Sequence, residues 1–373
     1  MGKKLYYRMN CSLLVGEFRT GLRSVERAIG RTASLPILSS IYLRAHKNKI
    51  IIRSTNLDVG IETTLPAQVK GDGEVVVPAI ILLQLIQSLH PIKDIYISTQ
   101  GQDLLIDTDN QKTRLKGYPV SEYPTFPTIV HEVSGVVSGT QLLQTLSRVS
   151  LVVATNTIRQ ELVSISFTFA KKTICAATDS FRLTEESIEG RDVTKSTTVL
   201  IPLHTIQNCI TLLSQNTPKD VSIIIGEGSI QFTIGRTQLL SRLLEGKFPP
   251  YTDILPKNTT TTITINNELL SGALKQARVF TGKLADIHLT VHHNDGLQIE
   301  AQSPDIGEYN NIIPASIEGN PVTIVLNWKY LTDALQGRDG NISLTCTSGQ
   351  DPIKISSEGI NGFHIIMPMR GIV

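Results

Sequence analysis

Glu17 to Ile29, EFRTGLRSVERAI, reads as an amphipathic helix with two faces of different purpose. Phe18, Leu22, Val25 and Ile29 step by four, three and four, and Arg19, Arg23 and Arg27 step by four and four. At about 100° per residue the apolar and arginine stripes lie roughly 130° apart, so one face suits a core and the other an anion. Taken alone, the stretch is equally a solvated surface helix. Its recurrence gives it meaning.

Counterparts stand at residues 140 to 153 (TQLLQTLSRVSLVV) and 267 to 280 (NELLSGALKQARVF). Each copy leads to a strand and turn ending at a hydroxyl: Thr55, Thr178 and Ser303, spaced by 123 and 125 residues. A strand running into a second helix follows in EVVVPAIILLQLIQSL (74–89), TTVLIPLHTIQNCITLL (197–213) and PVTIVLNWKYLTDALQ (321–336). Pro78, Pro202 and Asn327 keep that step at 124 and 125 residues. Closing strands complete each copy in TRLKGYPVSEYP, LSRLLEGKFPPY and GFHIIMPMRGIV. Pro-rich joints at Tyr118–Pro127 and Phe248–Pro256 interrupt helix and central strand alike.

The pattern predicts an α+β chain of three tandem domains, 1–128, 129–257 and 258–373, each a sheet with two helices on one side. A solenoid does not fit, because a unit of about 125 residues buries its own core whereas solenoid repeats run to about 20–45. Length agrees, since 373 residues exceed what one core usually serves.

Composition narrows the function. Aromatics make up 5% and Trp328 is the one tryptophan, thin supply for a base-stacking surface. Net charge is +2, too little for a tight grip on nucleic acid through bulk charge. That charge is polarised: 16 Lys+Arg against 11 Asp+Glu in 1–128, 12 against 11 in 129–257, and 7 against 11 in 258–373. Cys11, Cys175, Cys209 and Cys346 stand far apart, and with no signal peptide and no long apolar run the expected compartment is the cytoplasm, without a membrane.

Catalysis finds no home. Gly226, Gly228 and Gly235 form no GxGxxG, and no phosphate-cradling GKS/T loop is present. His288, His292 and His293 lack a carboxylate or cysteine at ligand spacing, so no metal and no cofactor is expected. Thr178, Asp179 and Ser180 beside Arg182 read as a turn held by Asp and Ser side chains rather than as a nucleophile patch.

The joint KFPPYTDILPKN (247–258), the turn ATDSFRL (177–183) and the tail HIIMPMRGIV (364–373) resemble the bacterial DNA polymerase III β subunit family, the sliding clamps, over essentially the whole chain from Tyr7. The resemblance implies DNA-clamp domains, a head-to-tail homodimer closed as a ring around duplex DNA, and a non-catalytic processivity role. Partners implied are the polymerase III catalytic subunit, the clamp loader and other proteins carrying a clamp-binding motif. Helices would line the channel with Arg19, Arg23, Arg27, Arg31, Arg148, Lys275 and Arg278, joined by the neutral Gln84, Gln87, Gln207, Asn208 and Thr211. Phosphate contacts without base readout would hold DNA loosely enough to slide.

A partner peptide would enter an apolar pocket of Leu162, Thr178, Leu183, Pro249, Ile254, Tyr330, Ile365, Met367, Pro368 and Met369, rimmed by Arg159, Arg182, Asn327 and Arg370. Ser180, Phe181 and Asp253 depart from the family's usual Gly-His and basic residue. Thr113 and Leu115 at one end and Val279 and Phe280 at the other would form the dimer seam, where the positive first third meets the negative last third. The alternatives are a clamp-like paralogue that binds peptides without closing a ring and, more remotely, an enzyme with an unrecognised site.

Overall fold

The computed structural model describes residues 8–30, 35–89, 94–126, 129, 131–155, 157–256, 258–292 and 296–370. Strands form where apolar and polar residues alternate: in SIQFTI, Ile230, Phe232 and Ile234 are buried and the residues between them half-buried. Helices take over where the period changes to 3.6, as in Val15–Val25 with Val15, Phe18, Leu22 and Val25 inward.

The first third contains β1 (Asn10–Leu14), α1 (Val15–Val25), β2 (Ser40–His46), β3 (Lys49–Thr55), β4 (Val59–Pro66), β5 (Gln68–Gly71), β6 (Gly73–Pro78), α2 (Ala79–Ser88), β7 (Asp94–Gln100), β8 (Asp103–Asp107) and β9 (Lys112–Leu115). The second contains β10 (His131–Ser138), α3 (Gly139–Val149), β11 (Ser164–Phe169), β12 (Lys172–Thr178), β13 (Arg182–Arg191), β14 (Thr197–Pro202), α4 (Leu203–Gln215), β15 (Asp220–Gly226), β16 (Ser229–Ile234) and β17 (Thr237–Arg242). The last contains β18 (Thr261–Asn266), α5 (Asn267–Ala277), β19 (Asp286–His292), β20 (Gly296–Ser303), β21 (Gly307–Ile313), β22 (Ser316–Gly319), β23 (Thr323–Asn327), α6 (Trp328–Leu335), β24 (Asn341–Cys346), β25 (Ile353–Ser357) and β26 (Gly362–Ile366). The order strand, helix, strands, helix, strands is thus written three times.

Compactness follows the sheets rather than the thirds. One unit comprises residues 1–139 and 208–243, the other 140–207 and 244–373. In the first unit β17 pairs antiparallel with β4, so a single sheet runs β10-β15-β16-β17-β4-β3-β2-β6. Its companion runs β5-β1-β7-β8-β9. In the second unit β13 pairs with β26, giving β14-β11-β12-β13-β26-β25-β24-β18-β22 beside β21-β20-β19-β23. The strands of the middle third are therefore shared between the units, because a sheet edge is satisfied by a neighbouring strand whatever its place in the sequence.

α1 begins two residues earlier than its sequence pattern suggests and ends at Val25, with a short 3-10 turn from Glu26 to Ala28. Gly21 lets it lie close on β3 and β4: a Cβ there would stand 2.7 Å from Leu65 and 3.0 Å from Ile52. Among the described residues no helix is long and apolar enough to cross a membrane.

His364 on β26 is buried, its Nε2 has no hydrogen-bond partner among the described residues, and burial, with the charges of Arg182 and Arg338, lowers its pKa to about 3. An unfolded histidine titrates near 6.5, so between those values the native state binds fewer protons. The contribution is complete above about pH 6.5 and is lost as pH falls, by up to about 1.4 kcal/mol per pH unit. Urea denaturation from about pH 6.5 to 5 should show this slope, and His364→Gln should remove it.

Candidate functional site

Three sets of residues carry the functional expectations, and the structure treats them differently. On α1 and its 3-10 extension, Arg23 and Arg27 are exposed, opposite the buried Phe18, Leu22 and Val25. Arg19 is half-buried and donates to the carbonyls of Ile86 at 3.1 Å and Leu89 at 3.0 Å. It caps the C-terminal end of α2, whose last carbonyls lack partners of their own. Lys275 and Arg278 are exposed at the end of α5, while Arg31 lies outside the described residues.

Arg148 departs from the expectation. Its guanidinium grips Glu186 through two hydrogen bonds of 2.7 Å each and donates to the Gly337 carbonyl, with the Arg148 side chain 13% exposed and that of Glu186 1%. Arg338, also buried, sits 3.8 Å from the same carboxylate and donates to Ala334 O and Ser357 Oγ. A charge committed to a buried ion pair is not a mobile lining cation. Among the neutral positions, Gln84 and Gln87 are exposed but Asn208 is buried, and Ile80 and Ile81 stand out from α2 as exposed apolar residues.

The second set gathers at the junction of β12, β13 and β26. Strand register sets Thr178 opposite Leu183, and Leu183 opposite Ile365, with all three side chains buried. The turn between β12 and β13 is held by the Thr178 hydroxyl, which donates to Arg182 O, and by the Asp179 carboxylate, which accepts from the backbone of Phe181 and Arg182. Thr178, rather than Ser180, supplies the second side chain; Ser180 takes the left-handed conformation (φ 78°) and leaves Phe181 62% exposed.

Arg182 ties the region together. It donates to Asp179, to Asp333 of α6 at 2.5 Å and to the Leu151 carbonyl at 2.8 Å, and its guanidinium lies 4.5 Å from the Tyr330 ring centroid. Burial, with Asp179 nearby, raises the Tyr330 pKa. The chain end is pinned by Met367 N to Phe181 O and Met369 N to Val325 O, both 2.9 Å, which leaves Met367 and Met369 half-buried and Pro368 buried.

Asn327 caps α6 by accepting from Lys329 N. Leu162 is buried beside exposed Arg159, itself paired with Glu161, and Arg370 is exposed. Pro249 is half-buried and Ile254 46% exposed; Tyr251 between them hydrogen-bonds Glu185 of β13. Sequence reading missed Asp333 and Glu186, which hold Arg182 and Arg148, and Arg338, which shares the Glu186 carboxylate.

The third set lies at sheet ends. Thr113 and Leu115 belong to β9, the terminal strand of its sheet, with Lys112, Arg114 and Lys116 exposed along it. Phe280 stacks on Tyr309 of β21, also a terminal strand, at 6.1 Å between centroids. In the same third Val279, Leu284, Ile306 and Ile312 are 47–60% exposed.

Models of the DNA polymerase III beta subunit match this chain with their N-terminal, central and C-terminal domains, at residues 9–127, 136–250 and 252–370. The chain belongs to that family. The beta sliding clamp of Staphylococcus aureus (strain Mu50) is 26% identical over 367 residues, spanning 95% of this chain and 97% of the relative. That of Staphylococcus epidermidis is 28% identical over 337 residues, spanning 87% and 89%. Among solved structures, the Bacillus subtilis DNA polymerase sliding clamp superimposes with a TM-score of 0.92 at 23% identity, covering 98% of this chain and all of that one. The Pseudomonas aeruginosa clamp bound to griselimycin gives 0.91 at 23% identity, covering 97% and all. The threefold α+β order and the sheets that run on from one third to the next are thus the family fold.

Proposed function

We propose that this clamp-family chain is a non-catalytic processivity factor, a head-to-tail homodimer that closes around duplex DNA and tethers the replicative polymerase and other motif-bearing partners in the cytoplasm. The observation that carries the reading is the pairing rule of the sheets. Twice within the chain, the last strand of a third's internal four-stranded sheet is the terminal partner for the following third's closing sheet: β4 with β17, and β13 with β26. The same rule applied once more leaves β21 and β9 as complementary open edges, one at each end of the repeat. Joining β21 of one copy to β9 of another, reciprocally, closes two chains into a ring of six domains in which every junction between consecutive domains is a paired strand edge.

Chemistry supports this seam. Lys112 and Lys116 bracket β9, and Asp305 and Glu308 flank the start of β21, so residues at the edges themselves carry part of the end-to-end charge polarity; Arg114 between the lysines is already paired with Asp103 of β8. The divisions at 128/129 and 257/258 belong to the same reading.

Exposed Arg23, Arg27, Lys275 and Arg278 are assigned to the phosphate backbone, and Arg19 and Arg148 to the scaffold that positions the helices. Arg23→Ala with Arg27→Ala should flatten the dependence of log affinity on log salt by about 0.9 per lost contact. Unfolding free energy should stay within about 0.5 kcal/mol, since both side chains are exposed.

The cluster around Leu183, Ile365, Met367 and Met369 is assigned as the partner-peptide site, a pair of adaptable thioethers over an apolar floor. Griselimycin, bound in the Pseudomonas structure, is the probe. Met367→Ala with Met369→Ala should weaken its binding by about tenfold or more, a loss of about 1.4 kcal/mol, in a folded dimer. Unchanged affinity would remove these residues from the site.

A further inference from the structure

The turn that frames the proposed peptide site is built a second time in the first unit. Thr55 Oγ1 donates to Val59 O and accepts from Leu57 N, Asn56 Oδ1 accepts from the backbone of Asp58 and Val59, and Leu57 has φ 78°. Each feature has its match at the other seam: Thr178 Oγ1 to Arg182 O and from Ser180 N, Asp179 Oδ1 from Phe181 and Arg182, and Ser180 at φ 78°. Arg242 N bonds Asp58 O at 2.9 Å, as Met367 N bonds Phe181 O. Gly60 faces Leu240, as Leu183 faces Ile365.

The occupants of the two frames differ. Position 60 has no side chain, and the Phe126 ring takes the space: a Cβ at Gly60 would lie 2.6 Å from it. The Arg53 guanidinium holds that ring, 5.4 Å from its centroid, and holds Tyr42 likewise at 5.3 Å. Tyr123, three residues earlier, is buried and stacks on Tyr42. Beside Phe126 a cavity of about 400 Å³ runs between Leu57, Leu240 and Arg242. A Pro-containing segment with an aromatic anchor is therefore already seated on the repeated frame.

We propose that the first unit holds a second linear-segment groove, specific for an extended Tyr-Pro-x-Phe peptide and filled in cis by Tyr123–Phe126. The chain then offers one vacant groove to outside peptides instead of two. This consequence rests on the peptide-site reading of the second unit; the cis occupation does not.

The test uses the full chain and the probe acetyl-Tyr-Pro-Thr-Phe-amide. Phe126→Ala should lower the melting temperature and bind the probe saturably with recovery of stability, at least about tenfold more tightly than the wild type. Phe126→Ala with Gly60→Leu, which restores the leucine of the other seam, should not respond. Equal binding by wild type and variant, or none by a folded variant, overturns the inference. Should Phe126→Ala fail to fold, Phe126→Leu is titrated under the same criteria. Griselimycin titrated into the wild type separates the two readings, because its failure to bind strikes the second-unit site and leaves the tetrapeptide result standing.

Discussion

A chain carrying Val279→Asp and Ile306→Asp is expected to be a folded monomer of 40.9 kDa where the wild type has twice that mass. Val279 is 56% and Ile306 58% exposed in the single chain, so new carboxylates there stay hydrated and the fold loses little. In the dimer they would meet the edge of the partner copy, where burying an unpaired carboxylate costs several kcal/mol. A two-fold ring contains the seam twice, so even about 3 kcal/mol per seam sums to a dissociation constant raised by about four orders of magnitude. Light scattering across a dilution series reads this directly. A variant that stays dimeric places the seam elsewhere. Salt should weaken the wild-type dimer as well, since the edge charges are exposed.

Glu186→Ala should produce the largest loss of stability. The carboxylate is 1% exposed and is the common partner of Arg148 and Arg338, whose pKa is already lowered by burial. Its removal strands the buried Arg338 guanidinium and the half-buried one of Arg148, and breaking a buried pair costs about 3–5 kcal/mol. Urea denaturation measures the effect, and a loss under about 1 kcal/mol would show the network to be dispensable. The same network separates Arg148 from the α1 arginines: Arg148→Ala should act on stability, Arg23→Ala and Arg27→Ala on DNA.

The sequence reveals what is local. Helix stripes and the T-D-S-F-R-L turn are encoded by residues within a few positions of one another: the Thr178–Leu183 turn appears where that pattern puts it, and α1 appears on the predicted stripe with its start two residues earlier and its end at Val25. Strand pairing at the seams was hidden, because β4 and β17 lie 174 residues apart at Thr63 and Thr237 and nothing in either strand names its neighbour. An arginine also reads the same in sequence whether it is free, caps a helix like Arg19 or is neutralised like Arg148. For Arg148 a signal did exist. Glu186 shares the parity of Thr184 and Ile188 on β13, the inward face, and an acid on that face demands a buried cation.

Retention on circular DNA tests the ring most directly. Loaded onto a nicked circular plasmid, the wild type should stay bound through gel filtration at a salt concentration that abolishes ordinary phosphate contacts, and should be lost once the circle is linearised. The Val279→Asp, Ile306→Asp chain should not be retained on either form. Equal retention on circular and linear DNA would show that charge, and not topology, holds the protein in place.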